Sequence, residues 1–102
     1  MNFPETLLSP AHHILLSNWK DGFTIPASKL YPFQWNWDSG FVSIGHSYQN
    51  LEYAMQELAT LFSGQWANGM VPHIIFHNEN EKTYFPNHEF WETTVNPGAP
   101  QK

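Results

Sequence analysis

The chain has 102 residues, one small domain or a piece of a larger one. Four lysines and no arginine stand against 9 acidic residues, for a net charge of -5, which disfavours nucleic-acid binding and polybasic membrane contact. There are no cysteines, which removes disulfides, thiolate metal sites and cysteine nucleophiles.

Charged residues make up 13% of the chain, about half the ~25% of an ordinary domain, while aromatics reach 17%. A chain of this size buries roughly 60–70% of its unfolded surface. Some of its 8 Phe, 5 Trp and 4 Tyr should therefore face a ligand, a partner or further protein. No apolar run is long enough for a transmembrane helix. The opening MNFPETLLSP lacks a basic region followed by an apolar one, so no signal peptide is expected and the cytoplasm is the expected location.

In chain order, residues 1–9 read as a lead-in. Ser9-Pro10 reads as a cap and first turn for a short amphipathic helix from Ala11 to Lys20, stopped by Asp21-Gly22. Residues 23–37 hold two prolines and no helical period, so an extended or looping segment is expected. Asp38 or Ser39 can cap a helix over 38–48 with Phe41, Ile44, Gly45 and Tyr48 on one face. Asn50 can cap a second helix over 51–63, whose stripe of Leu51, Ala54, Met55, Leu58, Leu61 and Phe62 is the clearest period in the chain. The two make an αα-hairpin, ended by Gly64. Asn68-Gly69 signals a turn, and 73–76 a short extended piece. Residues 77–83 read as a polar loop, Tyr84–Trp91 has no assignable structure, and the tail NPGAPQK is irregular.

Two clusters could carry chemistry. In YPFQWNWDSGF, an extended backbone would project Tyr31, Phe33, Trp35 and Trp37 to one side, with Asp38 beside them. Indoles can stack on the apolar face of a sugar, and a carboxylate can accept hydrogen bonds from two neighbouring hydroxyls. The cluster therefore suits a carbohydrate pocket. The other reading of the same residues is a buried aromatic core with Asp38 as a helix cap, and composition alone favours it. In GQWANGMVPH, Gln65, Trp66, Asn68 and His73 again suit hydroxyl recognition, against the plainer reading of a loop packed on its own hairpin.

The six histidines do not show a metal site, because His73 and His77 are not on a clear helix and zinc needs three or four convergent ligands. No cofactor is expected. No phosphate loop, nucleophile elbow or HExxH occurs. Glycoside hydrolysis usually takes two carboxylates, and Asp38 is the one acid inside a legible aromatic cluster; Glu89 and Glu92 around Trp91 are less readable.

The motifs YPxQWxWDS (31–39) and GQWxxGMVPH (64–73), at this separation, resemble the start of a glycoside hydrolase family 63 catalytic domain, in its mannosylglycerate-hydrolase-like branch. The resemblance covers roughly residues 11–102. It implies an all-α fold, with 38–48 and 51–63 an early hairpin of an (α/α)6 toroid carrying long aromatic-rich loops. It implies inverting hydrolysis of an α-glycosidic bond by two acids, without a catalytic metal. It places Tyr31, Trp35, Trp37, Asp38 and His73 at the sugar, with Gln65 in the second motif. The substrate implied is a small carbohydrate: mannosylglycerate, glucosylglycerate or a glucosylated oligosaccharide. In that family the general acid and base come from later in a much longer chain. Residues 1–102 are thus expected to be an N-terminal fragment of one catalytic domain, inactive alone and dependent on the remainder to cover its apolar faces. The alternatives are a non-catalytic carbohydrate-binding module and a helical interaction protein.

Overall fold

A computed structural model of the chain describes residues 3–77 and 84–93. Its elements run α1 (Glu5–Asn18), β1 (Gln34–Trp35), α2 (Asn36–Ser47), α3 (Leu51–Phe62) and β2 (Ile74–Ile75). The chain is mainly helical, three helices with one small antiparallel pair, β1 with β2, in register Gln34↔Ile75 and Trp35↔Ile74.

α1 starts earlier than Ser9-Pro10 suggested. The Pro4 carbonyl accepts from the backbone N–H of Leu7 at 2.9 Å and Leu8 at 3.2 Å, which closes the first turn there. Pro10 then lies inside the helix, where it removes one backbone donor. No residue of α1 is buried. The helix ends at Asn18, two residues before the expected Lys20, and the chain reverses at Asp21-Gly22. Asp21 (φ 52) and Gly22 (φ 121) form a two-residue reversal, closed by Lys20 N–H to the Phe23 carbonyl at 2.7 Å and by an antiparallel bridge between Trp19 and Thr24. Asp-Gly suits two successive positive φ angles.

α2 also begins early, at Asn36 with Trp35 in the capping position, so Asp38 is a first-turn residue rather than the cap. There its negative charge faces the positive end of the helix dipole. Trp37 consequently leaves the extended run and no longer shares a side with Tyr31, Phe33 and Trp35. α3 matches its expected span, and Asn50 Oδ1 accepts from Tyr53 N–H at 3.3 Å as its cap.

The buried faces of the hairpin follow the apolar stripes only in part: Ala54 and Leu61 of the α3 stripe are buried, and most of the rest is exposed. On α2 the buried residues are Ser39, Ser43 and His46, while Phe41, Ile44 and Tyr48 are exposed. On α3 the buried residues are Ala54, Glu57 and Leu61, while Leu51, Met55, Leu58 and Phe62 are exposed. The apolar core among the described residues is Ile25, Phe33, Ala54, Leu61 and Ile75. Gly64 locks the end of α3 onto it: a Cβ there would stand 2.8 Å from Ile75 Cδ1 and 3.1 Å from Pro72 Cγ.

So much uncovered apolar surface should drive self-association. The double variant Met55→Glu, Phe62→Lys is expected to shift sedimentation towards monomer. Because both positions are more than half exposed, at 64% and 53%, unfolding stability should change by less than about 0.5 kcal/mol per site. An unchanged sedimentation profile would show that this face does not mediate association.

Candidate functional site

The β1–β2 pair joins the two motifs, and two further hydrogen bonds extend the seam. Asn36 N–H donates to the His73 carbonyl at 2.9 Å, and Asn36 Nδ2 donates to the Pro72 carbonyl at 3.0 Å. The second motif is folded by its Asn68-Gly69 turn. Gly69 has φ 92, Trp66 N–H donates to the Met70 carbonyl at 2.8 Å, and Gly69 N–H donates to the Trp66 carbonyl at 2.8 Å.

Beside this seam lies a cavity of about 550 Å³. Tyr31 and Trp35 come from the first motif and Trp66, Met70, Pro72 and His73 from the second; Ile74, Phe76, Tyr84, Pro86, Trp91 and Thr93 complete much of the lining. Tyr31 and Trp35 meet edge to face at 5.4 Å. Phe33, beneath them, takes Phe76 and Tyr84 edges at 5.0 Å each. The Tyr84 hydroxyl donates to the Leu30 carbonyl at 3.3 Å, and burial, with the nearby Tyr31 phenol, pushes its pKa up.

Of the six residues expected at the sugar, Tyr31, Trp35 and His73 line this cavity. Trp37, Asp38 and Gln65 are not in its lining. Trp37 is 72% exposed on α2, edge-on to Phe41 at 5.4 Å. Asp38 is half-buried, and among the described residues no side-chain hydrogen bond occupies its carboxylate. Gln65 is exposed and donates from Nε2 to the Gly69 carbonyl at 2.8 Å. Tyr84, Trp91 and the residues between them were not legible as site residues, because that stretch carries neither a period nor a motif. Glu89 and Glu92 are exposed turn residues, and the loop expected over 77–83 lies mostly outside the described residues, as does the tail. Among the described residues, no three His, Cys, Asp or Glu converge as a metal site would need, and no helix is long and apolar enough to cross a membrane.

Behind the cavity wall is a buried polar cluster that the sequence did not announce. Glu57 Oε1 accepts from Ser39 Oγ at 2.6 Å and from Gln34 Nε2 at 3.1 Å. Gln34 Nε2 also reaches the Glu57 backbone carbonyl at 3.0 Å, and its Oε1 lies 2.8 Å from His77 Nε2, which donates. Thr24 Oγ1 lies 3.0 Å from His46 Nε2. Glu57 Oε2 has no hydrogen-bond partner of good geometry.

Burial raises the Glu57 pKa above its ordinary 4.5, against the opposing pull of Ser39, Thr24 and Gln34, and burial lowers His46 below its ordinary 6.5. The unfolded chain therefore releases the Glu57 proton first as pH rises. Folding stability falls from pH 4.5 upward until the folded value is passed. His46 acts oppositely: stability is lost as pH falls below 6.5 towards its folded value. Glu57→Gln should remove the first effect. Urea unfolding at pH 4 and pH 7 is expected to show its stability, relative to the parent chain, rising between the two; a pH-independent difference would contradict the shift.

A three-helix scaffold that brings two sequence motifs together around a concave, aromatic cavity with few polar groups has the form of a small-ligand pocket. The family model of the mannosylglycerate hydrolase MGH1-like glycoside hydrolase domain matches residues 31–101. The chain is 48% identical over 95 residues to mannosylglycerate hydrolase MGH1 of Selaginella moellendorffii, covering 93% of this chain and 18% of that protein. It is 42% identical over 99 residues to a glucosylglycerate hydrolase of Mycolicibacterium hassiacum, covering 96% of this chain and 22% of that protein. The crystal structure of the glycoside hydrolase family 63 mannosylglycerate hydrolase of Thermus thermophilus, in complex with Tris and D-glycerate, superposes with a TM-score of 0.76 at 44% identity, over 81% of this chain and 20% of that one.

The chain belongs to the mannosylglycerate hydrolase MGH1-like glycoside hydrolase family. It spans about a fifth of the length of the relatives it matches.

Proposed function

We propose that these residues form part of the sugar pocket of an inverting α-glycoside hydrolase acting on mannosylglycerate or glucosylglycerate. α-Glucosylated oligosaccharides are a wider substrate class for the same pocket. The observation that carries the reading is the seam: both motifs that resemble the family are hydrogen-bonded into one wall, and Tyr31, Trp35 and His73 line the cavity beside it. In this reading α2 and α3 are one hairpin of an (α/α)6 toroid. Asp38, Gln65 and Trp37 meet the sugar at the pocket's edge.

The general acid and base are assigned to residues other than these. Among the described residues, none that lines the cavity is Asp or Glu, whereas inversion needs two carboxylates about 6.5–9.5 Å apart across the bond. The cytoplasm is the location this reading assigns.

The test is hydrolysis by the protein isolated from its own source. Release of D-glycerate from mannosylglycerate or glucosylglycerate is expected, by a polypeptide several times heavier than 11.8 kDa. A protein of 11.8 kDa that binds these compounds and releases nothing would favour a non-catalytic carbohydrate-binding module. A stable oligomer that ignores sugars would favour a helical interaction protein.

In the active enzyme, Asp38→Asn is expected to lower kcat/KM by about a hundredfold, the loss of a charge-assisted hydrogen bond pair to the sugar. Both limbs of the pH–rate profile should remain. Loss of a limb would make Asp38 the acid or base.

A further inference from the structure

The segment that carries Trp35, Trp37 and Asp38 is pinned at both ends by one buried side chain. Gln34 and Ser39 bracket residues 35–38, and both are essentially without solvent contact. Each donates to the same atom, Glu57 Oε1, at 3.1 Å and 2.6 Å. Gln34 Nε2 is also 3.1 Å from Ser39 Oγ, so the three side chains close a ring. Glu57 itself is fully buried on α3, in the helix opposite the segment it holds.

An apolar residue at 57 would leave the buried Ser39 hydroxyl without its acceptor and would cost Gln34 Nε2 one of three, the Glu57 backbone carbonyl and Ser39 Oγ remaining. A buried carboxyl whose second oxygen has no well-formed hydrogen bond is an expensive filler for a core. Packing alone does not call for it; an acceptor for two donors does.

We propose that Glu57 is a positioning residue of the sugar pocket: by accepting from Gln34 and Ser39 it fixes the turn from β1 into α2, and with it the setting of Trp35 and Asp38. The proposal rests on the sugar-pocket reading for its functional meaning. Its structural part, that Glu57 sets Trp35, stands separately. Glu57 does not touch the cavity, so it acts through its two partners.

The experiment uses the 102-residue chain and its Glu57→Leu, Glu57→Gln and Ser39→Ala variants, at a temperature where circular dichroism shows each folded. Two quantities are read: the nuclear magnetic resonance signals of the Trp35 indole N–H and the Gln34 side-chain amide, and the affinity for mannosylglycerate by calorimetry.

Glu57→Leu should displace both signals and weaken binding about tenfold, on the scale of one buried hydrogen bond. Glu57→Gln keeps an acceptor oxygen and should restore the Trp35 signal and most of the affinity. Ser39→Ala should shift the Trp35 signal in the same direction as Glu57→Leu. A folded Glu57→Leu chain with both signals and the affinity unchanged would overturn the proposal. So would failure of Glu57→Gln to restore the Trp35 signal. If Glu57→Leu does not fold, Ser39→Ala decides, and an unmoved Trp35 signal there would overturn it. If the parent chain binds no mannosylglycerate, the sugar-pocket reading fails, while the two resonances still decide whether Glu57 sets Trp35.

Discussion

Phe33→Ala is expected to leave the chain without a cooperative unfolding transition at 25 °C. Phe33 is 0% exposed and is the largest fully buried side chain among the described residues. It meets Phe76, Tyr84 and Trp35 at ring distances of 5.0, 5.0 and 6.1 Å, so it joins β1 to the segment that follows β2 and to the one around Tyr84. Removing a buried phenyl ring costs about 3–5 kcal/mol, transfer and cavity terms together. Domains of this size are stable by about 5–15 kcal/mol. With five buried apolar residues among those described, this chain belongs at the low end of that range. Phe41→Ala is the matched control, since Phe41 is exposed on α2 and its loss should change stability by about 0.5 kcal/mol or less. Circular dichroism against urea distinguishes the two. Equal midpoints for Phe33→Ala and the parent chain would place the core elsewhere.

Trp35→Ala is expected to weaken affinity for mannosylglycerate about thirtyfold while the chain stays folded. Trp35 is half-buried, and its exposed part lines the cavity next to Tyr31. Stacking one face of a sugar on an indole buries apolar area worth about 2 kcal/mol, which corresponds to roughly a thirtyfold loss in affinity on truncation. The backbone seam from Trp35 to Ile74 does not depend on the side chain, so β1 and β2 should survive the change. Retained affinity in a folded Trp35→Ala chain would move the sugar away from this wall.

What the sequence revealed and what it hid follow from the same source. Local signals were legible. Asn50 capped α3, Asp-Gly reversed the chain after α1, Asn-Gly turned the second motif, and 74–75 became a strand. The pairing of the two motifs was not legible from either alone, because it rests mainly on backbone hydrogen bonds between residues 34–36 and 73–75, with the Asn36 side-chain amide reaching the Pro72 carbonyl, and backbone bonds leave no pattern in side-chain chemistry.

Periodicity locates an apolar stripe, and says nothing of the polar residues that pack on a helix's other side. Here Ser39, Ser43 and His46 on α2 and Ala54, Glu57 and Leu61 on α3 form the inner face. Glu57 carries no motif of its own within LEYAMQELATLF. Its spacing from Ala54 and Leu61, three and four residues, was the available sign that it shares their face.

The exposed parts of the stripes account for much of the surplus of aromatic and aliphatic side chains on the surface. Phe41, Ile44, Leu51, Met55 and Phe62 face outward on the hairpin. The chain spans about a fifth of the length of its relatives, which carry much more polypeptide than these residues.

The most direct test of the sugar-pocket account is calorimetric titration of the folded 102-residue chain with mannosylglycerate. The account predicts saturable binding with a Kd on the order of 1 mM, as suits one wall of a pocket, accompanied by quenching of tryptophan fluorescence. A folded chain that gives no heat and no quenching up to tens of times that concentration, about 50 mM, would contradict it.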